Sequence, residues 1–147
     1  MNQQKILNII NCLSLVGVVV ALYSLYEYYY GTIDSFCNIS SRFSCYAVYQ
    51  SEYSAIFGVP VALIGIIGYG FIFTLSHWGV SGKISRFQDL IFVTSLLAVI
   101  FSGRLVYISG FVTKVWCPSC IISYVIILAI FVCAVILKQK IKQQLAQ

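Results

Sequence analysis

Residues 116–137 read WCPSCIISYVIILAIFVCAVIL: a C-x-x-C pair at the mouth of a long apolar run. Crossing a bilayer as a helix takes about 20 mostly apolar residues, and 118–137 supplies that length. Three further stretches qualify, at about 6–26, 56–75 and 90–108. The hydrocarbon core holds no water to satisfy backbone groups, so these spans must be helices rather than open strands. The fold class that follows is an all-α membrane protein, a bundle of four transmembrane helices formed by one domain over residues 1–147.

Composition agrees. The chain is 61% hydrophobic and 9% charged, against about 25% charged in an average soluble domain. A net charge of +5 raises the question of nucleic acid, but the basic residues form no single run or face, and no nucleic-acid partner is expected. The first apolar stretch lacks a strong basic leader and a small-residue cleavage site, so it reads as a retained helix rather than a signal peptide.

The longest connection runs over 28–55, YYYGTIDSFCNISSRFSCYAVYQSEYSA, too aromatic for a plain tether. Tyr46, Tyr49 and Tyr53 fall at i, i+3 and i+7, which predicts a short helix lying along the membrane surface and capping the bundle. Pro60 stands near the start of the second span, where its missing N–H costs least.

Six of the nine basic residues, Lys5, Lys83, Arg86, Lys138, Lys140 and Lys142, flank the N-terminus, the second connection and the C-terminus. If the spans alternate, all six share one side, which the positive-inside rule makes cytoplasmic. Cys37, Cys45, Cys117 and Cys120 then face the opposite, oxidising side of the cell (inner) membrane, where disulfides persist. Trp116 and the tyrosines of 23–30 form one aromatic belt, with His77 and Trp78 at the other interface. Arg104, near the outer end of the third span, reads as a snorkelling side chain.

Cys117 falls at a helix N-terminus, with Pro118 in the first turn and Cys120 one turn on. Unsatisfied N–H groups and the helix dipole favour a thiolate there. Alone, such a pair fits thiol–disulfide exchange, a structural disulfide or half of a zinc site. Cys37 and Cys45, seven residues between them, suit a four-thiolate zinc site poorly. They suit a second exchanging pair, since disulfides pass electrons by thiolate attack on sulfur. Within a bundle, a lipid-soluble quinone is the natural acceptor. Cys12 and Cys133 lie within spans and read as small packing residues.

The order Cys37-x7-Cys45, then Ser51, then FGVP at 57–60, then CPSCIISY at 117–124 resembles the vitamin K epoxide reductase family, in particular its microbial disulfide-forming members. The resemblance covers nearly the whole chain and implies a four-helix bundle around a quinone of the menaquinone, ubiquinone or vitamin K type. It implies that Cys117 and Cys120 are the active-site pair, with Cys120 beside the quinone, and that Cys37 and Cys45 are the shuttle pair. By the same match Tyr124, four residues after Cys120, donates to a quinone carbonyl, and Ser51 supports the site. The stretch VPVALIG at 59–65 lacks the asparagine by which vertebrate members contact the quinone, which argues against assuming epoxide reduction; quinone or quinone-epoxide reduction of the vitamin K type stays as an alternative. Many bacterial members carry a fused thioredoxin-like domain after the fourth span. Here the expected electron donor is a separate thioredoxin-like redox protein.

Two rivals remain. Bacterial disulfide-bond membrane oxidases also pair four spans with two cysteine pairs, but in the reverse order. A small four-helix multidrug transporter needs an acidic residue within the membrane, and Glu27, among tyrosines at the outer end of the first span, reads as interfacial.

Overall fold

The computed structural model of the chain describes residues 2–81 and 86–146. Four long helices make the bundle: α1 (Gln3–Tyr30), α3 (Val61–Val80), α4 (Phe87–Tyr107) and α5 (Pro118–Leu145), with a short α2 (Cys45–Tyr49) between the first two. α1 packs on α3 and α5, and α4 packs on α5 and α3, which closes a four-helix ring. All four long helices are apolar and long enough to cross a membrane. Their outward faces carry residues such as Val19, Ile67, Leu97 and Val125, as lipid contact requires. The protein is a multi-pass membrane protein.

Polar groups inside the bundle are satisfied within it, as a medium without water demands. Ser14 Oγ donates to the Ile10 carbonyl at 2.6 Å and Ser95 Oγ to the Phe92 carbonyl at 3.0 Å. Ser76 Oγ reaches Asn11 Oδ1 at 3.1 Å and ties α3 to α1. Small residues let the helices close: the Tyr69 ring lies so near Gly17 that any Cβ there would overlap it, and the Tyr69 hydroxyl donates to the Ser123 carbonyl on α5 at 2.7 Å.

One end of the bundle gathers the chain termini. Gln3 Nε2 donates to Gln144 Oε1, and Lys138 Nζ meets Asp89 at 3.1 Å while lying over the Phe92 ring. Lys83, one of the six basic residues used for orientation, lies outside the described residues. The other end carries the cap formed by the long first connection.

The cap differs from the sequence reading in two places. The tyrosine stripe predicts one helix through Tyr53, whereas α2 stops at Tyr49 and a separate 3-10 turn covers Glu52–Ser54. Ser51 breaks the helix: its Oγ and N–H both take the Val48 carbonyl, at 2.6 and 3.2 Å, a side-chain competition that serine brings to helix interiors. The second span begins at Val61, not near residue 56. Residues 55–60 instead form a two-stranded hairpin, β1 (Ala55–Ile56) on β2 (Val59–Pro60), turning through Phe57 and Gly58 at φ 52° and 80°. Positive φ at both central positions is what a type I′ hairpin turn requires.

Candidate active site

The site is built where α5 begins. Cys117 is the N-cap of α5 in extended conformation, and its Sγ accepts from the Cys120 N–H at 3.4 Å. Pro118 follows in the first turn, where no N–H is needed. The helix then turns Cys120 back over Cys117, and the Cys120 thiol points at Cys117 Sγ with the sulfurs 2.6 Å apart.

The cap delivers the second pair. Cys37 and Cys45 form a disulfide across Cα atoms 5.6 Å apart. The chain around Cys45 is held by the backbone of Trp116: the Trp116 N–H donates to the Arg42 carbonyl at 2.7 Å and the Ser44 N–H to the Trp116 carbonyl at 3.2 Å. Residue 45 is thereby set against residue 117, with Cys45 and Cys117 Sγ 3.7 Å apart. Ser44 caps α2, accepting from the Ala47 N–H at 3.2 Å.

A polar clamp holds the loop itself. Asn38, next to Cys37, accepts from Ser44 Oγ at 2.7 Å and from the Tyr46 N–H at 3.2 Å, the residues either side of Cys45. Its amide also donates to the Thr32 carbonyl and to Ser35 Oγ, and Ser35 Oγ in turn donates to Glu27 Oε2 at 2.8 Å. Glu27 is 3% exposed, so the interfacial reading gives way to a buried carboxylate that roots the loop on α1.

Ser119 lies inside the C-x-x-C and is buried. Its Oγ is 3.3 Å from Cys117 Sγ, 3.4 Å from Cys45 Sγ and 2.6 Å from the Tyr49 hydroxyl. Tyr49 also lies 3.8 Å from Cys117 Sγ. The Cys117 thiol is brought down to about 7 from 9.0, chiefly by the hydrogen bond from the Cys120 thiol. Burial opposes this, and the Ser119 hydroxyl, the Cys120 N–H and the Tyr49 phenol add to it. Burial pushes the Tyr49 phenol up, and the adjacent Cys120 and Cys117 sulfurs push it further, so it stays a neutral donor.

A cavity of about 510 Å³ opens beneath the cap between the four long helices. Tyr28, Tyr49, Ser51, Tyr69, Cys120 and Ser123 are in its wall; Cys117 is not. Gly65 and Gly68 also face it, and a Cβ on Gly68 would meet nothing within 4 Å. The space is mostly apolar with a few hydroxyls beside one thiol, and its volume is in the ordinary range for small-ligand sites. These residues fit a flat apolar ring with polar edges.

Of the residues singled out from the sequence, the four cysteines come together and Ser51 lies in the cavity wall. Tyr124 is one turn past Cys120, but its ring packs over Gly103 of α4 and is not part of that wall; its hydroxyl meets no hydrogen-bond partner among the described residues. Cys133 packs against the core, while Cys12 is exposed on α1. His77 is exposed and stacks on Phe73, and Arg104 is exposed. The sequence reading passed over Ser119, Tyr49 as a hydroxyl donor, and Asn38. Ser119 carried a signal, being the one hydrogen-bonding side chain between the C-x-x-C thiols.

A model of the vitamin K epoxide reductase family matches residues 8–135. The chain belongs to that family, which makes it a membrane thiol oxidoreductase of a quinone-associated kind.

Proposed function

We propose that the protein passes electrons from a separate, reduced thioredoxin-like partner through Cys37/Cys45 and then Cys117/Cys120 to a membrane quinone, supporting disulfide bond formation. The observation that carries this reading is the 3.7 Å between the sulfurs of Cys45 and Cys117, which makes one pair reachable from the other. The partner thiolate attacks Cys37 and releases Cys45. The Cys45 thiolate attacks Cys117, forming Cys45–Cys117 and freeing Cys120 at the cavity wall. The partner's second thiol then releases Cys37, which attacks Cys45, restores the loop disulfide and frees Cys117. In that last step Cys117 is the sulfur that leaves, and its lowered thiol, held down chiefly by the hydrogen bond from the Cys120 thiol, makes it a good leaving group.

A quinone would supply acceptance of two electrons and two protons. Tyr49, Ser51 and Cys120 border the space it would occupy. Tyr124, one turn past Cys120, packs over Gly103 of α4 and has no hydrogen-bond partner among the described residues, so its phenol would reach a ring carbonyl only by turning toward the cavity. The cysteines face the extracytoplasmic side and both termini the cytoplasm, as the placement of basic residues favours. Purified protein should reduce a soluble quinone analogue in step with oxidation of a thioredoxin-like dithiol. Quinone reduction surviving in Cys120→Ala overturns the assignment of that thiol, and labelling of reduced Cys37 from the cytoplasmic side alone in sealed membranes overturns the orientation.

A further inference from the structure

Exchange between the two pairs creates charge where water cannot help. Cys45 is 0% and Cys117 1% exposed, and an ionised sulfur in such a place is costly without a donor. Ser119 Oγ lies at nearly the same distance from both, 3.4 and 3.3 Å. Its own oxygen lies 2.6 Å from the Tyr49 hydroxyl. With the neutral phenol donating to Ser119 Oγ, the serine proton is free for a sulfur. Rotation about the Cβ–Oγ bond alone redirects that proton from one sulfur to the other, with no heavy atom moving.

We infer that Ser119, backed by Tyr49, is a catalytic hydroxyl of the exchange between the two cysteine pairs, donating to Cys45 when that sulfur attacks and to Cys117 when that sulfur leaves. The inference rests on the relay just proposed. In the first step the Cys45 thiolate attacks Cys117; the Cys45–Cys117 bond forms, the Cys117–Cys120 bond breaks, and the electron pair leaves on Cys120. In the second, the Cys37 thiolate attacks Cys45; Cys37–Cys45 forms, Cys45–Cys117 breaks, and the pair leaves on Cys117. Ser119 touches the nucleophile of the first step and the leaving group of the second. A more stable thiolate attacks less keenly, but nucleophilicity falls only about half as fast as pKa, so a buried thiol gains more in ionised fraction than it loses. A serine present only for packing would be satisfied by the Tyr49 bond; near-equal approach to two reacting sulfurs is what packing leaves unexplained.

The test uses the full chain in lipid nanodiscs with no quinone present. The Cys117–Cys120 pair is oxidised, the loop pair is reduced by a small dithiol, and disulfides are followed by acid quenching and mass spectrometry under non-reducing conditions. Hydrogen bonds to charged groups are strong enough that Ser119→Ala should slow cross-pair exchange roughly ten- to a hundredfold. It should also move the pH midpoint of Cys117 alkylation upward in the reduced protein. Tyr49→Phe should do both to a lesser degree, and Ser119→Thr should restore both. Should Ser119→Ala fail to fold, Tyr49→Phe decides. Wild-type exchange rates with an unmoved alkylation profile in the folded variants overturn the inference, as does slow exchange with no shift in that profile. Because no quinone takes part, wild-type protein that exchanges between pairs but fails to reduce a quinone overturns the function proposed above and leaves Ser119 standing. Absence of cross-pair exchange in the wild type overturns both.

Discussion

Cys45 and Cys117 are 72 positions apart in the chain, yet their sulfurs lie 3.7 Å apart with one serine hydroxyl against both. That proximity favours a Cys45–Cys117 mixed disulfide. Cys120→Ala or Cys37→Ala should accumulate a Cys45–Cys117 crosslink, and Cys45→Ala should not. Peptide mapping of non-reduced protein reads the bond directly. A Cys37–Cys117 bond as the dominant species in functional protein reverses the order of the shuttle.

Gly68 offers a way to fill the cavity without disturbing the bundle. A Cβ there meets nothing within 4 Å, and replacing glycine within a helix gains about 1 kcal/mol of propensity. Gly68→Leu should leave the melting temperature level or raised and cross-pair exchange intact, while quinone reduction falls at least about tenfold, the size of effect about 1.4 kcal/mol of lost binding produces. Quinone titrations beside thermal unfolding curves check this, and unchanged quinone affinity would mean that the ligand binds elsewhere.

Cys117 provides a pH signature. Its thiol is lowered to about 7 in the folded, reduced chain from 9.0, so alkylation at Cys117 should rise with pH about a midpoint near 7. The linkage has a definite sign. A folded-state value below the unfolded one stabilises the fold fully above pH 9, over a window that closes as the pH falls through about 7. Reduced protein should therefore unfold more readily at pH 6 than at pH 9 by this contribution, and Cys117→Ser should remove that part of the difference. Calorimetry of the two proteins at both pH values measures it.

Gly17 of α1 lies directly against the Tyr69 ring of α3. Any Cβ at residue 17 overlaps the Tyr69 ring, and the ring cannot retreat without losing its hydrogen bond to the Ser123 carbonyl. Overpacking of this kind costs about 1–3 kcal/mol, so Gly17→Ala should lower the melting temperature. In a Tyr69→Phe background, where the ring has no such bond to lose, the cost of Gly17→Ala should shrink. A Gly17→Ala protein as stable as the wild type would show that the two helices part more easily than their packing suggests.

The spans were legible because a run of about 20 apolar residues has few other uses, and the thiol pairs because their order along the chain is distinctive. What escaped has physical causes. Phenylalanine has no preference for φ above zero, so nothing at Phe57 announced the hairpin that moves the second span to Val61. Ser51 was weighed as part of the site, and its capture of the Val48 carbonyl, which ends α2, depends on a rotamer rather than a residue type. Glu27 looked interfacial because its partner Ser35 lies in a loop whose path no periodicity describes. The i+4 spacing puts Tyr124 one turn past Cys120, but spacing alone does not announce that its ring packs over Gly103 of α4 while Ser123 lies in the cavity wall.

The loop reaches Cys117 through main-chain atoms: the Trp116 N–H and carbonyl grip Arg42 and Ser44 regardless of what side chains those residues bear. Ile39 and Phe43 nearby are exposed. A surface anchored in this way can be rewritten residue by residue while the sulfur-to-sulfur distance beneath it stays put. If the proposed redox partner docks on this loop, a library varied at Ile39, Ser41, Arg42 and Phe43 should alter partner choice at undiminished internal exchange.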